Sequence, residues 1–159
     1  MPQAGSNRHG SGVFYPVNDF LAGAIMDRNQ LCSGLEFLGR LLLAALFVSD
    51  VWTIINNYGA TADYLAQFGV PPQLLPLAMV TQLGGGLLVV VGWQTRLAAL
   101  ALALFCIATA LIFHTQSGDA NEAIQFWKDL AIAGGFLVLL AHGAGVVSLD
   151  ARLRRAAAG

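Results

Sequence analysis

Charge is what this sequence has least of. Asp, Glu, Lys and Arg make up 11% of 159 residues, against about 25% in an ordinary soluble domain. The shortage excludes a conventional water-facing surface. The net charge is -1, so no overall basic field exists to hold nucleic acid. Cysteine is scarce too. Cys32 and Cys106 are the two present, and no Cys-x-x-Cys occurs. That excludes zinc-ribbon spacing and a thioredoxin-like dithiol, leaving two free thiols in apolar surroundings. The histidines, His9, His114 and His142, fall in different layers of the topology developed below, so no metal site is expected. Residues 1–12 are rich in Gly, Ser and Asn. No apolar core follows a basic start there, so a flexible tail is expected rather than a signal peptide.

What is abundant is hydrocarbon. Hydrophobic residues reach 57% and the mean hydropathy is +0.66. A soluble domain of this size could not hide so much apolar surface, and the excess must face lipid or a partner. Four apolar segments, at about 35–57, 72–92, 97–114 and 126–142, have the length a bilayer crossing requires, about 20 residues at about 1.5 Å each. The expected fold is all-α, a four-helix transmembrane bundle over 35–147. Before it, in 1–34, Phe14, Val17, Leu21 and Ile25 recur at near-helical spacing, with Asp19, Asp27 and Arg28 keeping the stretch from crossing. An in-plane amphipathic helix, a docking segment and a loop are three readings of it. After the bundle, 148–159 reads as a basic tail. Glu36 and Arg40 have the spacing of a helical ion pair. Asp119 and Glu122 have that of a capping box. A short interfacial helix fits within 59–72.

Positive charge sets the orientation. Arg8, Arg28, Arg40, Arg96, Arg152, Arg154 and Arg155 fall on one side of a four-span chain, and Lys128 on the other. Both termini are therefore expected in the cytoplasm. Trp52 and Trp127 then lie toward the outer interface and Trp93 at the inner one.

Polar residues inside spans are costly and mark sites. Asp50, Thr53 and Asn57 share one face of the first span. Gln82, His114, Lys128 and Asp129 come from the other three. Antiparallel packing gathers these seven in the outer half, and the inner half holds no comparable set. Interhelical glue, a binding pocket and a catalytic site are three readings of the group. No nucleophile with an oriented base is present, so no catalytic residue is assigned. Gly84, Gly85 and Gly86, with Gly134 and Gly135, are expected to let neighbouring helices approach closely.

Several segments carry a family likeness. They are 39–43 (Gly-Arg-Leu-Leu-Leu), 64–71 (Tyr-Leu-Ala-Gln-Phe-Gly-Val-Pro), 83–92 with its glycine triplet, 95–99, Phe113-His114, 126–135 and 148–150. In this order and spacing the chain resembles the DoxX family of bacterial membrane proteins over about 35–153. The resemblance implies a multi-pass protein of the bacterial cytoplasmic (inner) membrane. Some relatives are subunits of thiosulfate:quinone oxidoreductase, and others belong to oxidative-stress or thiol-redox complexes. It thus implies a non-catalytic membrane subunit or anchor of such a complex. The alternative is a binding or transport protein for a small hydrophobic or quinone-like molecule. Expected neighbours are lipid, protein partners of a membrane redox complex and further copies of the chain, but not nucleic acid. The family often carries Glu where this chain has Gln82, Asn where it has Asp129, and a small or neutral residue at Asp50.

Overall fold

The structure is a computed structural model. It describes residues 17–115 and 120–159, with side chains described at 28 and from 30 onward. Among the described residues six α-helices follow one another: α1 (Val17–Asn56), α2 (Tyr58–Gln67), α3 (Leu75–Val91), α4 (Thr95–Phe113), α5 (Ala120–His142) and α6 (Leu149–Ala158). No strand occurs among the described residues. The chain divides into two compact units, Met1–Cys32 and Ser33–Gly159.

In the first unit the described residues are helical from Val17 onward. Helix, not loop, is therefore the state of the N-terminal pattern from that point. Phe14 lies outside the described residues.

The second unit is the bundle. The segments long and apolar enough to cross a bilayer are Gln30–Asn56, Pro72–Val91, Thr95–Phe113 and Ala120–His142. The last starts six residues earlier than its hydropathy suggests. Residues 120–125 are polar yet helical, because Glu122 and Gln125 find partners within the fold. Likewise 149–158 forms a helix rather than an extended tail. Its start is fixed by Ser148, whose hydroxyl accepts the Ala151 N–H at 3.1 Å, an ordinary N-cap.

α3 begins after one 3-10 turn, Pro72–Leu74, and carries Pro76 in its first turn, where the missing N–H costs nothing. It ends at Gly92, at φ 73 in the left-handed region. A Cβ there would lie 2.5 Å from that of Ser148 and 2.7 Å from Arg40 Nη1, so both conformation and space require glycine.

The core centres on α4. Ala99, Leu102 and Ala103 are fully buried, and they pack with Phe47, Val89, Ala133 and Phe136. Alanines on α4 let α5 come close. The Phe47 ring bridges the two helices, 5.6 Å from Phe136 and 6.4 Å from Phe105. The outer surface is the reverse of a soluble protein's. Leu42, Leu87, Leu97, Val138 and Trp127 are each more than 60% exposed. Burying that surface in hydrocarbon is what the bundle requires of its surroundings.

The end of the bundle where α3 passes to α4 holds a polar cluster that the sequence pattern did not suggest. Arg40 is buried, 2% exposed. It does not simply pair with Glu36. Its Nη1 donates to the carbonyls of Val89 and Val90 at 3.2 Å, and its Nη2 to that of Val147 at 2.5 Å. One guanidinium thus closes the C-terminal end of α3 and ties it to α1 and to the segment before α6. Beside it, the Asp150 carboxylate accepts from the N–H groups of Gln94 (2.8 Å) and Thr95 (3.0 Å) and from the Thr95 hydroxyl (2.9 Å). Asp150 therefore caps α4 from outside the helix. In return its own N–H donates to Gly92 at 2.8 Å. The expectation that this end lacks a polar set is corrected: four of its polar side chains, those of Arg40, Thr95, Ser148 and Asp150, are engaged in the joint.

Burial alone would raise the Asp150 carboxyl. The Thr95 and Gln94 donors and the charge of Arg154 outweigh it and hold the group below its ordinary value. A carboxyl lowered in the folded state stabilises above the ordinary carboxylate range, about 4, and loses that contribution as pH falls through the lowered value. Melting curves of the detergent-solubilised protein should accordingly show an acid limb below about pH 4 that shrinks in Asp150→Asn. Arg40→Met leaves the Val89, Val90 and Val147 carbonyls without their donor and should cost about 2–4 kcal/mol. Arg40→Lys, a point donor in place of a fork, should recover less than half of the lost melting temperature.

Candidate functional site

At the other end of the bundle a cavity of about 570 Å³ opens among α1, α2, α3, α4 and α5. Asp50, Gln82, His114, Lys128 and Asp129 all line it, as do Cys106 and Thr109. Thr53 and Asn57 do not. The Thr53 hydroxyl turns back to the Ser49 carbonyl at 3.0 Å, and the Asn57 amide to that of Thr53 at 3.0 Å. Both are exposed, Thr53 on α1 and Asn57 just past its end, and both bond back to α1 carbonyls as Thr and Asn commonly do.

Two polar groups build the wall. In the first, the Gln82 side chain, 2% exposed, lies beside the Asp50 carboxylate. Its Oε1 is buried and has no hydrogen-bond partner. In the second, His114 stands at the C-terminal end of α4 with its ring between two carboxylates of α5. Nδ1 lies 2.5 Å from Glu122 Oε2, and Nε2 lies 3.8 Å from Asp129 Oδ2. The Thr109 hydroxyl donates to the same Asp129 oxygen at 3.0 Å. Lys128 stands at the rim, exposed, and donates to Gln125 at 2.7 Å.

Glu122, Thr109 and Tyr64 were not singled out as site residues by the sequence. Glu122 looked like half of a capping box, whose other half, Asp119, lies outside the described residues. The usable signal was its helical register with Asp129, two turns on, which turns both carboxylates toward one histidine.

The roof of the cavity is aromatic. α2 lays Tyr64 and Phe68 across the end of α4, with ring centroids 5.6 and 5.2 Å from that of Phe113 and 4.9 Å from each other. Burial and the nearby Glu122 carboxylate push the Tyr64 phenol up, so it stays a neutral donor. Below the polar groups the walls are apolar, with Phe47, Ile54, Leu75, Phe105 and Ile132 among them. On the lipid side of α1 and α3 a separate groove of about 690 Å³ is lined by Leu41, Val48, Trp52, Leu83 and other residues, nearly all apolar. Its chemistry is that of an acyl-chain contact.

The remaining expected positions are dispersed. A Cβ at Gly85 would meet Leu102 at 2.9 Å, at Gly86 Ala44 at 3.8 Å, and at Gly135 Leu43 at 3.5 Å. Gly84 and Gly134 have nothing within 4 Å. They therefore hold no close helix approach within the described chain. Cys32 is exposed and Cys106 buried, both as free thiols. His142 sits at the far end of α5, its Nδ1 3.0 Å from the Val138 carbonyl. No cluster of three or more metal-ligating side chains exists among the described residues.

Four apolar spans, lipid-facing leucines and a polar chamber enclosed by helices define a multi-pass integral membrane protein. The DoxX family model matches residues 35–115, and the chain belongs to the DoxX family. It is similar to the inner membrane protein YqjF of Escherichia coli strain K12, 37% identical over 118 residues, which cover 74% of this chain and 91% of that protein. It is also similar to the inner membrane protein YphA of the same organism, 32% identical over 125 residues, covering 74% of this chain and 89% of the relative. No solved structure matches the chain.

The roof gives the site its own test. Phe113→Ala removes the ring under Tyr64 and Phe68, a loss of about 1–3 kcal/mol for two aromatic pairs. Amide exchange in 58–67 should accelerate in this variant while exchange in α4 and α5 stays slow. Uniform acceleration across the bundle would show that the ring supports the core rather than the roof.

Proposed function

We propose that the chain is a multi-pass protein of the bacterial inner membrane that binds or carries a small amphipathic molecule, quinone-like rings among the compounds to be tested, in the cavity under α2. The observation that carries the reading is Gln82 Oε1, a buried acceptor in the cavity wall with no partner. Leaving such a group open costs about 1–3 kcal/mol. Arg40 Nε, the other buried side-chain atom without a partner among the described residues, does not line this cavity, whereas Gln82 does. A molecule bound there closes Gln82 Oε1. The cavity also combines apolar walls with a few convergent polar groups, the usual make-up of a small-molecule site. Leu46, Leu74 and Leu77 border it and are exposed, which suits a ligand arriving from the bilayer.

The inner-membrane assignment draws on the names of the two relatives. The orientation draws on charge. Arg40, Arg96, Arg152, Arg154 and Arg155 all gather at the end opposite the cavity, and Lys128 alone stands at the cavity rim among the lysines and arginines of the bundle. Both termini are accordingly cytoplasmic and the cavity faces outward.

A second reading, a membrane subunit or anchor of a redox complex, draws on α6. Arg152, Arg154 and Arg155 are exposed on a helix fastened through Asp150, a fixed basic surface that a soluble partner could use. A native gel of the solubilised protein at its natural expression level decides this one. A lone monomer argues against it.

Binding is tested with the fluorescent hydrophobic probe N-phenylnaphthylamine and protein in lipid nanodiscs. Saturable binding above that of empty discs is expected. Ala78→Trp, which fills the cavity from α3, should weaken it by tenfold or more, ~1.4 kcal/mol. Wild-type discs indistinguishable from empty ones would overturn the binding reading.

A further inference from the structure

Resting on the binding reading above, we infer that the ligand presents a hydrogen-bond-donating cationic head, an organic ammonium on an apolar body, to Asp50 and Gln82. The geometry rests on an inventory of donors and acceptors on the α1–α3 side of the cavity, where Asp50 is exposed and Gln82 buried. Gln82 offers a buried Oε1 with nothing bonded to it. Asp50, on the adjacent helix, accepts a hydrogen bond from the Gln82 amide but, among the described residues, no Lys, Arg or His stands within ion-pair distance of it. The basic side chains that do reach this cavity are engaged elsewhere. His114 is held by Glu122 and Asp129, and Lys128 by Gln125 at the rim.

This side of the cavity is therefore rich in acceptors and deficient in cationic charge. A ligand whose polar atoms are only acceptors, such as a quinone carbonyl, would leave Gln82 Oε1 open. A neutral hydroxyl would satisfy it but leave the Asp50 charge unmatched. An ammonium has several N–H donors on one charged atom, so it can bond Gln82 Oε1 and Asp50 together. In a membrane interior an uncompensated carboxylate is among the most costly groups to hold. A cation that enters with its own apolar body removes that cost. The walls suit the body: Phe47, Ile54, Leu75 and Phe105 line the cavity, with Tyr64 and Phe113 in its roof. Aromatic faces there add attraction for a passing cation.

The test uses one rigid apolar body with different heads. Adamantylamine, adamantanol, trimethyladamantylammonium and, as an acceptor-only ring, duroquinone are titrated into nanodiscs carrying the protein, with empty discs subtracted. Adamantylamine should bind at least about tenfold tighter than adamantanol, ~1.4 kcal/mol. Trimethyladamantylammonium has charge but no N–H and should bind more weakly than the amine. In Asp50→Asn, whose folding is checked by its melting curve, the preference for amine over alcohol should fall below about threefold. In Gln82→Glu, which adds a carboxylate, it should widen. That second variant keeps the test decisive should the first not fold. Equal affinity for amine and alcohol, or a preference for duroquinone, would overturn the assignment of the head while leaving the cavity as a binding site. Saturable binding of none of the four, together with none of N-phenylnaphthylamine, would overturn the binding reading itself.

Discussion

The bundle answers to one constraint: inside a bilayer no water is at hand, so every polar group must find its partner within the protein. The two ends of the molecule meet that demand differently. At the α3–α4 joint it is met by all but one atom, the Arg40 Nε, which is buried without a partner. The Arg40 guanidinium takes up carbonyls that would otherwise end α3 without donors, and Asp150 takes up N–H groups that would otherwise open α4. Helix ends are where backbone groups run out of partners. A charged side chain on each closes this joint and makes it the rigid end of the bundle. Even the Gly92 backbone belongs to it, because its left-handed turn brings the carbonyl to the Asp150 N–H.

At the opposite end the demand is met only in part. His114, Glu122, Asp129 and Thr109 bond to one another across α4 and α5. On the α1–α3 side the Gln82 amide donates to Asp50, but the Gln82 Oε1 is buried in the cavity wall without a partner. The difference between the two ends, built on the same helices, is that the second adjoins a cavity of about 570 Å³, which is what the proposed binding reading draws on. It also separates the roles of two kinds of buried polar residue. Arg40 is expensive to remove because it holds structure. Gln82 is expensive to keep unless it holds something else.

Much of the architecture was legible in the sequence, and the reasons are local. α3 announces itself by Pro72 and Pro76 at its start and Gly92 at its end, and α4 by an unbroken apolar run. Five of the seven polar positions converge on one cavity because antiparallel packing of four rods leaves them little choice. What was not legible depends on contacts far apart along the chain. Arg40 reads as half of a helical pair with Glu36, yet its partners are some 50 and 107 residues away. The first turn of α5 looks like a loop because it is polar, and Glu122 becomes intelligible only once His114 is beside it. Thr53 and Asn57 share a face with Asp50 by periodicity, but near the end of α1 that face has left the cavity and the side chains fold back on their own helix.

Gly85 bears on the chamber without touching it. A single added carbon there would press on Leu102 at 2.9 Å, one turn below Gln82 on α3 and one turn from Cys106 on α4. The gap between these two helices is thus set by a missing methyl group, and the chamber they flank inherits its calibre from that gap. Selection acting on position 85 could alter the width of the chamber with no change to any residue that lines it.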